Sequence, residues 1–315
     1  MTGYKLADFG SYYVGGQIHE VTEGEIQTVH FTRETSYQHD PKGHFAVAHS
    51  YVQYFIPEHR NDQPPVVLIH GGGMCGSVWE TTPDGRAGWL QLLLQRGFEC
   101  HVVDLVERGR SGFAPNYFEG QPVQRSLQEA WELFRFGRAS DFETKKPFNG
   151  QKFPTDEFAN FARSLVPRWV TTSPLQVAAI GELLEKLNTS IIICHSQGGE
   201  IALDAACNHP QRVAGIIAIE PSGAPTEVSK IKQIPLLVIK GDYTDKIAFW
   251  QRRVKAWQKI VESCQKTISK NKLIDLPKII GTGNSHFPML DLNSVEVLNI
   301  ILKELFAMEL NVSHI

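Results

Sequence analysis

Short, largely apolar runs punctuate the chain. They fall at 45–56, 65–70, 98–105, 191–194, 214–219 and 235–239, with a less regular one at 273–280. A strand with one wet face alternates apolar and polar residues, whereas a strand covered on both faces does not. These runs therefore predict buried strands. Helical spacing of apolar positions occupies the intervals at 88–96, 174–187, 198–208, 245–270 and 294–308. Alternation of strand and helix predicts an α/β fold class with a doubly wound, mostly parallel sheet. Residues 1–44 are polar, contain several glycines and are rich in Tyr and His, and read as an N-terminal arm or hairpin. No repeat or linker interrupts the chain, so 1–315 is expected to be one domain.

The spacing of the runs is uneven. About 85 residues separate the run ending at Leu105 from the one starting at Ile191, whereas a strand–helix–strand unit needs only about 30. Residues 113–172 are therefore expected to form a helical lid inserted before the strand at 191–194. The insertion carries Phe113, Trp131, Phe134, Phe136, Phe153, Phe158, Phe161 and Trp169. Most of these rings are expected to pack the insertion onto the core. The rest would shape a pocket for a moderately apolar small molecule.

Candidate chemistry centres on Ile191-Ile192-Ile193-Cys194-His195-Ser196-Gln197-Gly198-Gly199. It reads as strand, sharp turn and helix, the setting in which a serine hydroxyl is exposed above a sheet edge as a nucleophile. Residues two before and two after that serine have to be small, because strand and helix nearly touch. Gly198 meets this, and Cys194 replaces the usual glycine. Two other readings compete: Ser196 as a simple helix cap, and Cys194 as the nucleophile. A serine also needs a base. His286 is the best placed, in Gly281-Thr282-Gly283-Asn284-Ser285-His286-Phe287-Pro288 before the last helix. The acid that orients the histidine could be Glu220, at the end of the run 214–219. It could equally be Asp242 or Asp245, after the run 235–239; spacing alone does not separate them.

An oxyanion needs fixed N–H donors. One is expected from Gln197, the residue after the nucleophile. Another would come from His70-Gly71-Gly72-Gly73-Met74-Cys75-Gly76, with Gly72 the first choice and Gly73 the second. A glycine-rich loop could instead cradle phosphate. However, no G-x-G-x-x-G and no G-K-S/T occurs, so no nucleotide cofactor is expected. No H-E-x-x-H and no Cys/His cluster occurs, so no metal is expected either.

Composition narrows the partners. The 315 residues are 42% hydrophobic, 10% aromatic and 21% charged, with a net charge of −3. No basic field serves nucleic acid, and no apolar run of about 18 residues serves a membrane. A small-molecule substrate drawn in by burial rather than by electrostatic steering is expected. Met1–Asp8 shows no apolar leader core, and Cys75, Cys100, Cys194, Cys207 and Cys264 show no paired spacing. Both features point to a reduced, cytoplasmic setting.

Several longer motifs sharpen this picture. They are Gly10-Ser11-Tyr12-Tyr13-Val14-Gly15-Gly16, the stretch from Trp79 to Arg86, and Arg108-Gly109-Arg110-Ser111. Phe134-Arg135-Phe136-Gly137, Glu220-Pro221 and Gly283-Asn284-Ser285-His286 complete the set. Together with His195-Ser196-Gln197 they resemble the α/β-hydrolases, and within them the bacterial 713-type esterase family. The resemblance implies an α/β-hydrolase fold, an acid at Glu220 rather than Asp242, and a homodimer. Members of that family tend to be exported. They carry bulkier residues where this chain has Gly72 and Gly73, and a small polar residue in place of Cys194.

The expected function is a serine hydrolase, an esterase or lactonase. Ser196, His286 and Glu220 would perform the chemistry, and the N–H groups of Gly72 and Gln197 would bind the oxyanion. A lyase using the same residues and a ligand-binding receptor on the same fold are the alternatives.

Overall fold

A computed structural model describes residues 4–112, 114, 117–308 and 310; Phe113 of the expected insertion lies outside them. Strand β1 (Leu6–Val21) leads through a small hairpin, β2 (Gln27–His30) and β3 (Ser36–His39), into β4 (Gly43–Pro57). Next come β5 (Val66–Ile69), α1 (Trp89–Leu94) and β6 (Cys100–Asp104). Helices α2 (Leu127–Leu133), α3 (Phe158–Ala162) and α4 (Ser173–Leu187) precede β7 (Ser190–His195). The chain continues through α5 (Gln197–Asn208), β8 (Val213–Ile219), β9 (Leu236–Lys240) and α6 (Ala248–Gln265). It closes with β10 (Lys272–Asp275), α7 (Leu276–Ile280) and α8 (Ser294–Phe306).

Eight strands form one sheet in the order β1-β4-β6-β5-β7-β8-β9-β10. From β6 to β10 all neighbours are parallel, while β4 runs antiparallel to both β6 and β1. Every residue of β5, β6, β7 and β8 is buried. Their side chains divide alternately between two cores. Val66, Leu68, Ile191 and Ile193 pack with Trp89 and Leu298 on one face. Val67, Ile69, Ile192 and Cys194 pack with Leu183, Ile201 and Trp257 on the other. Helices cover both faces, which is why the apolar runs do not alternate. Chain order reverses at β5, which has β6 on one side and β7 on the other. In parallel sheets such a reversal opens a crevice beyond the strand ends.

Two elements differ from the sequence expectation. Residues 6–21, read as part of an arm or hairpin, form the long edge strand β1, paired antiparallel with β4 from Leu6 against Pro57 to Val21 against Gly43. As an edge strand it is largely exposed, so it lacks the apolar run of a buried strand. The run at 273–280 is strand only as far as Asp275. Pro277 lies in the first turn of α7, where its missing N–H has no partner to lose; inside a parallel strand it would break the ladder.

Between β6 and α4, Trp131, Phe136, Phe142, Phe153, Phe158 and Phe161 are buried together. Phe136 and Phe153 stack with ring centroids 4.0 Å apart. These rings form a core for the segment and join it to the sheet's own. Among the described residues no helix is long and apolar enough to cross a membrane. All five cysteines are free.

Candidate active site

Strand β7 ends at His195 and α5 begins at Gln197, leaving Ser196 alone in the turn. Its backbone has φ 51° and ψ −118°, a region costing a non-glycine residue of order 1–3 kcal/mol. Three backbone bonds hold it there. Ser196 N–H donates to the Ile219 carbonyl at 2.9 Å, and the Ser196 carbonyl accepts from Gly199 N–H at 2.9 Å and Ser222 N–H at 2.8 Å. The hydroxyl does not cap α5, so the helix-cap reading has no hydrogen bond behind it. A Cβ on Gly198 would collide with the His70 carbonyl, so the turn closes only around glycine. Cys194 lies inside β7, fully buried, with Sγ 3.5 Å from the Ile217 carbonyl. Burial pushes its thiol far up, leaving it an unreactive core residue.

The loop after α7 presents His286. Its Nδ1 lies 2.5 Å from Glu220 Oε2. An ionised carboxylate can only accept, so Nδ1 carries the proton and Nε2 is bare. The imidazole sits between Phe134, stacked at 5.7 Å, and Trp250 at 4.4 Å. Burial lowers the His286 pKa below the ordinary histidine value, with Glu220 opposing. The ring is therefore neutral at neutral pH. His195, beside the serine, is tied to the His286 backbone and does not line the cavity that Ser196 and His286 share. Its Nε2–H donates to the His286 carbonyl at 2.9 Å, and burial holds its pKa well below normal.

Glu220 is completely buried, at the end of β8. Its Oε1 accepts from Arg135 Nη2 at 2.5 Å and from Gly241 N–H at 2.7 Å. Burial alone would raise its pKa, but the Arg135 guanidinium and the His286 hydrogen bond bring it below the usual carboxylate value. Asp242 is engaged elsewhere, accepting from Tyr243 N–H at 2.7 Å and Gly283 N–H at 2.8 Å. Asp245 is exposed and paired with Lys246. Of the candidate acids, the fold brings Glu220 to His286.

His70 anchors the glycine-rich loop. Its Nε2 accepts from Leu105 N–H at 3.1 Å, and its Nδ1–H donates to the Gly71 carbonyl at 2.8 Å. Gly72, Ser196, Gln197 and His286 all line one cavity of about 330 Å³. Gly73, the second choice for the oxyanion, is not part of that lining. Its carbonyl instead accepts from Val166 N–H at 2.8 Å and ties the loop to the insertion.

Leu133, Phe134, Val170, Phe249 and Trp250 give the cavity an apolar wall. Of the described insertion aromatics named above, only Phe134 reaches it; Trp131, Phe136, Phe153, Phe158 and Phe161 are taken up by the insertion's packing and its contact with the sheet. The remaining lining is polar and includes Arg125, Arg168, Arg253 and Glu200. This departs from the apolar pocket expected from the aromatic content.

Trp250 and Arg168 were not singled out from sequence, and Arg135 was given no role beyond its place in the Phe134–Gly137 motif. For Arg135 a signal existed: an arginine between two phenylalanines is a charge that needs a buried partner. The stretch from Trp79 to Arg86 also finds its place. The Arg86 guanidinium donates to the Leu290 carbonyl at 2.9 Å and the Asp291 carbonyl at 3.0 Å. The Asp291 carboxylate accepts from Ser285 N–H and Oγ at 2.8 and 2.7 Å, fixing the residue before His286.

Residues 64–256, more than half the chain, match the family defined by the alpha/beta hydrolase fold. The chain belongs to that family. The hydrolase is also similar over nearly its whole length to a solved structure described as a novel bacterial esterase. That match has a TM-score of 0.86 and 29% identity, and covers 98% of each chain. A probable secreted lipase of Fungal sp. (strain ATCC 74256) is 29% identical over 182 residues, 56% of this chain and 50% of that protein. The chain thus spans about half the length of that curated relative.

Proposed function

We propose that this hydrolase is a serine esterase or lactonase working through an acyl-enzyme. One observation carries the reading: Ser196, strained at φ 51°, faces the same cavity as His286, whose Nδ1 is bonded to the buried Glu220. Bare Nε2 of His286 takes the hydroxyl proton as Ser196 Oγ adds to the ester carbonyl. Glu220 holds the tautomer and stabilises the imidazolium. The N–H groups of Gly72 and Gln197 receive the oxyanion. His286 returns the proton to the departing alcohol oxygen, leaving Ser196 acylated. A water that loses its proton to His286 then releases the acid and restores the serine. The names of the esterase and lipase relatives support this class of reaction.

Ser196→Ala tests the reading. Turnover of short-chain aryl esters should drop by roughly four to six orders of magnitude, the range seen when a serine nucleophile is removed. In ¹⁸O-labelled water, wild-type product acid should carry one label. Near-normal turnover by the variant, or unlabelled product, rules the mechanism out.

A further inference from the structure

The cavity beside Ser196 has more cations than acids to match them. Arg125, on the segment before α2, is paired with Glu129. Glu200 accepts from Ser222 Oγ at 2.8 Å. Arg168 and Arg253 have no carboxylate partner among the described residues. Arg168 Nη1 donates to the side-chain oxygen of Gln197 at 2.7 Å, a neutral acceptor. The Arg253 guanidinium lies 5.0 Å from the Phe249 ring centroid. Burial and the neighbouring Arg108 lower the Arg168 pKa, the mark of a cation poorly compensated by its surroundings.

Placement makes this wall more than a solvated surface. A Cβ on Gly72 would lie 2.7 Å from Arg168 Nη1 and 2.9 Å from Gln197 Oε1. The absence of a side chain at Gly72 leaves room for the guanidinium beside the candidate oxyanion loop. Arg253 comes from α6, so the two unmatched charges reach the cavity from separate elements. A guanidinium without an acid, facing a cavity that also has an apolar wall, is the usual receptor for a carboxylate.

Resting on the serine-hydrolase reading, we propose that the substrate is an ester or lactone that also bears a free carboxylate, bound by Arg168 and Arg253. The apolar wall of Phe134, Phe249 and Trp250 takes the hydrocarbon part, and the arginines take the anion. Arg168 and Arg253 are then specificity determinants. The small net charge of the chain conceals a local positive field at the mouth of its site.

Two matched substrate pairs test this. With the charge on the acyl side, the 4-nitrophenyl half-ester of adipic acid is compared with its neutral terminal amide. With the charge on the alcohol side, 3-acetoxybenzoate is compared with 3-acetoxybenzamide. At least one pair should favour the anion by about tenfold or more in kcat/KM, mainly through KM. That preference should shrink as salt is raised. It should fall toward unity in Arg168→Gln and Arg253→Gln. Both members of a pair meet the same Ser196, so general damage in a variant cancels in the ratio. Equal or reversed preference in both pairs overturns the inference and leaves the serine mechanism standing, as does a preference untouched by both substitutions. No turnover of any of the four, with Ser196 inert to a phosphonate, overturns both readings.

Discussion

Replacing Arg135 by methionine tests the electrostatic support of the site. Arg135 and Glu220 are both fully buried, and their ion pair has no solvent to fall back on. Removing one partner of such a pair costs about 3–5 kcal/mol, because the other charge is left uncompensated. The cost here belongs at the lower end of that range. Glu220 keeps two donors, Gly241 N–H at 2.7 Å and His286 Nδ1 at 2.5 Å. One guanidinium nitrogen, Nη1, already lacks a partner, so its loss relieves a penalty. Against this, the variant loses the bond from Nε to the Asp242 carbonyl at 2.7 Å and the packing of the guanidinium 4.5 Å from the Trp250 ring.

About 3 kcal/mol is therefore expected from urea unfolding at unchanged m, with Tm lower by roughly 5 °C or more. The same substitution has a kinetic signature that structural damage alone would not produce. The positive charge of Arg135 helps to lower the His286 pKa, which burial already holds below normal. A base works only when neutral, so kcat/KM falls as pH drops through that pKa. With Arg135 gone, the pKa rises and the acid limb moves to higher pH. A variant that loses under about 1 kcal/mol and keeps its acid limb in place would refute the coupling of Arg135 to Glu220 and His286.

Other outcomes follow from single contacts. Glu220→Gln should reduce kcat by about 10⁴, through the wrong imidazole tautomer, whereas Asp242→Asn, which touches only loop N–H groups, should cost about tenfold at most; steady-state kinetics decides the order. Burial pushes the Asp291 carboxyl up to about 7 against its hydrogen bonds from Asn284 and Ser285, while an unfolded aspartate titrates near about 3.9. The folded state then holds the extra proton between those values, so the stability Asp291 contributes falls as pH rises from about 4 to about 7. The unfolding free-energy difference between wild type and Asp291→Asn should shrink across that window, by at most about 4 kcal/mol; a flat difference would show the carboxyl ionised throughout. Gly198→Ala should destabilise by more than the ~1–3 kcal/mol of ordinary overpacking, because the clash is with backbone, and thermal melting would read this directly.

What could be read from sequence depended on whether a residue acts locally. Strands β5 to β9 announce themselves because both faces are buried and the runs are largely apolar without alternation. The turn at Ser196 is legible because strand, small residues and helix are contiguous. Glu220 needed the family resemblance, since Asp242 sits at an equivalent strand end; only the fold shows that Asp242 is occupied by Gly283 and Tyr243. Arg135, Arg168 and Arg253 were out of reach for another reason. Arg168 and Arg253 enter the cavity from the insertion and from α6, while Arg135 lies buried on Glu220, and no local pattern encodes which distant group each of them faces. Most of the insertion's rings pack onto the core, as their number led one to expect, but their count said little about the cavity. The rings satisfy one another, as Phe136 and Phe153 do, and Phe134 shares the cavity lining with Phe249, Trp250 and the arginines. β1 went unread because an exposed edge strand carries no apolar run.

Every step of the proposed reaction depends on Ser196 being the nucleophile. Treatment with a fluorophosphonate, followed by intact-mass measurement and peptide mapping, tests this most directly. One adduct per chain on Ser196 is predicted, forming far more slowly in His286→Ala. An unlabelled protein, or an adduct on any other residue with Ser196 unmodified, would contradict it.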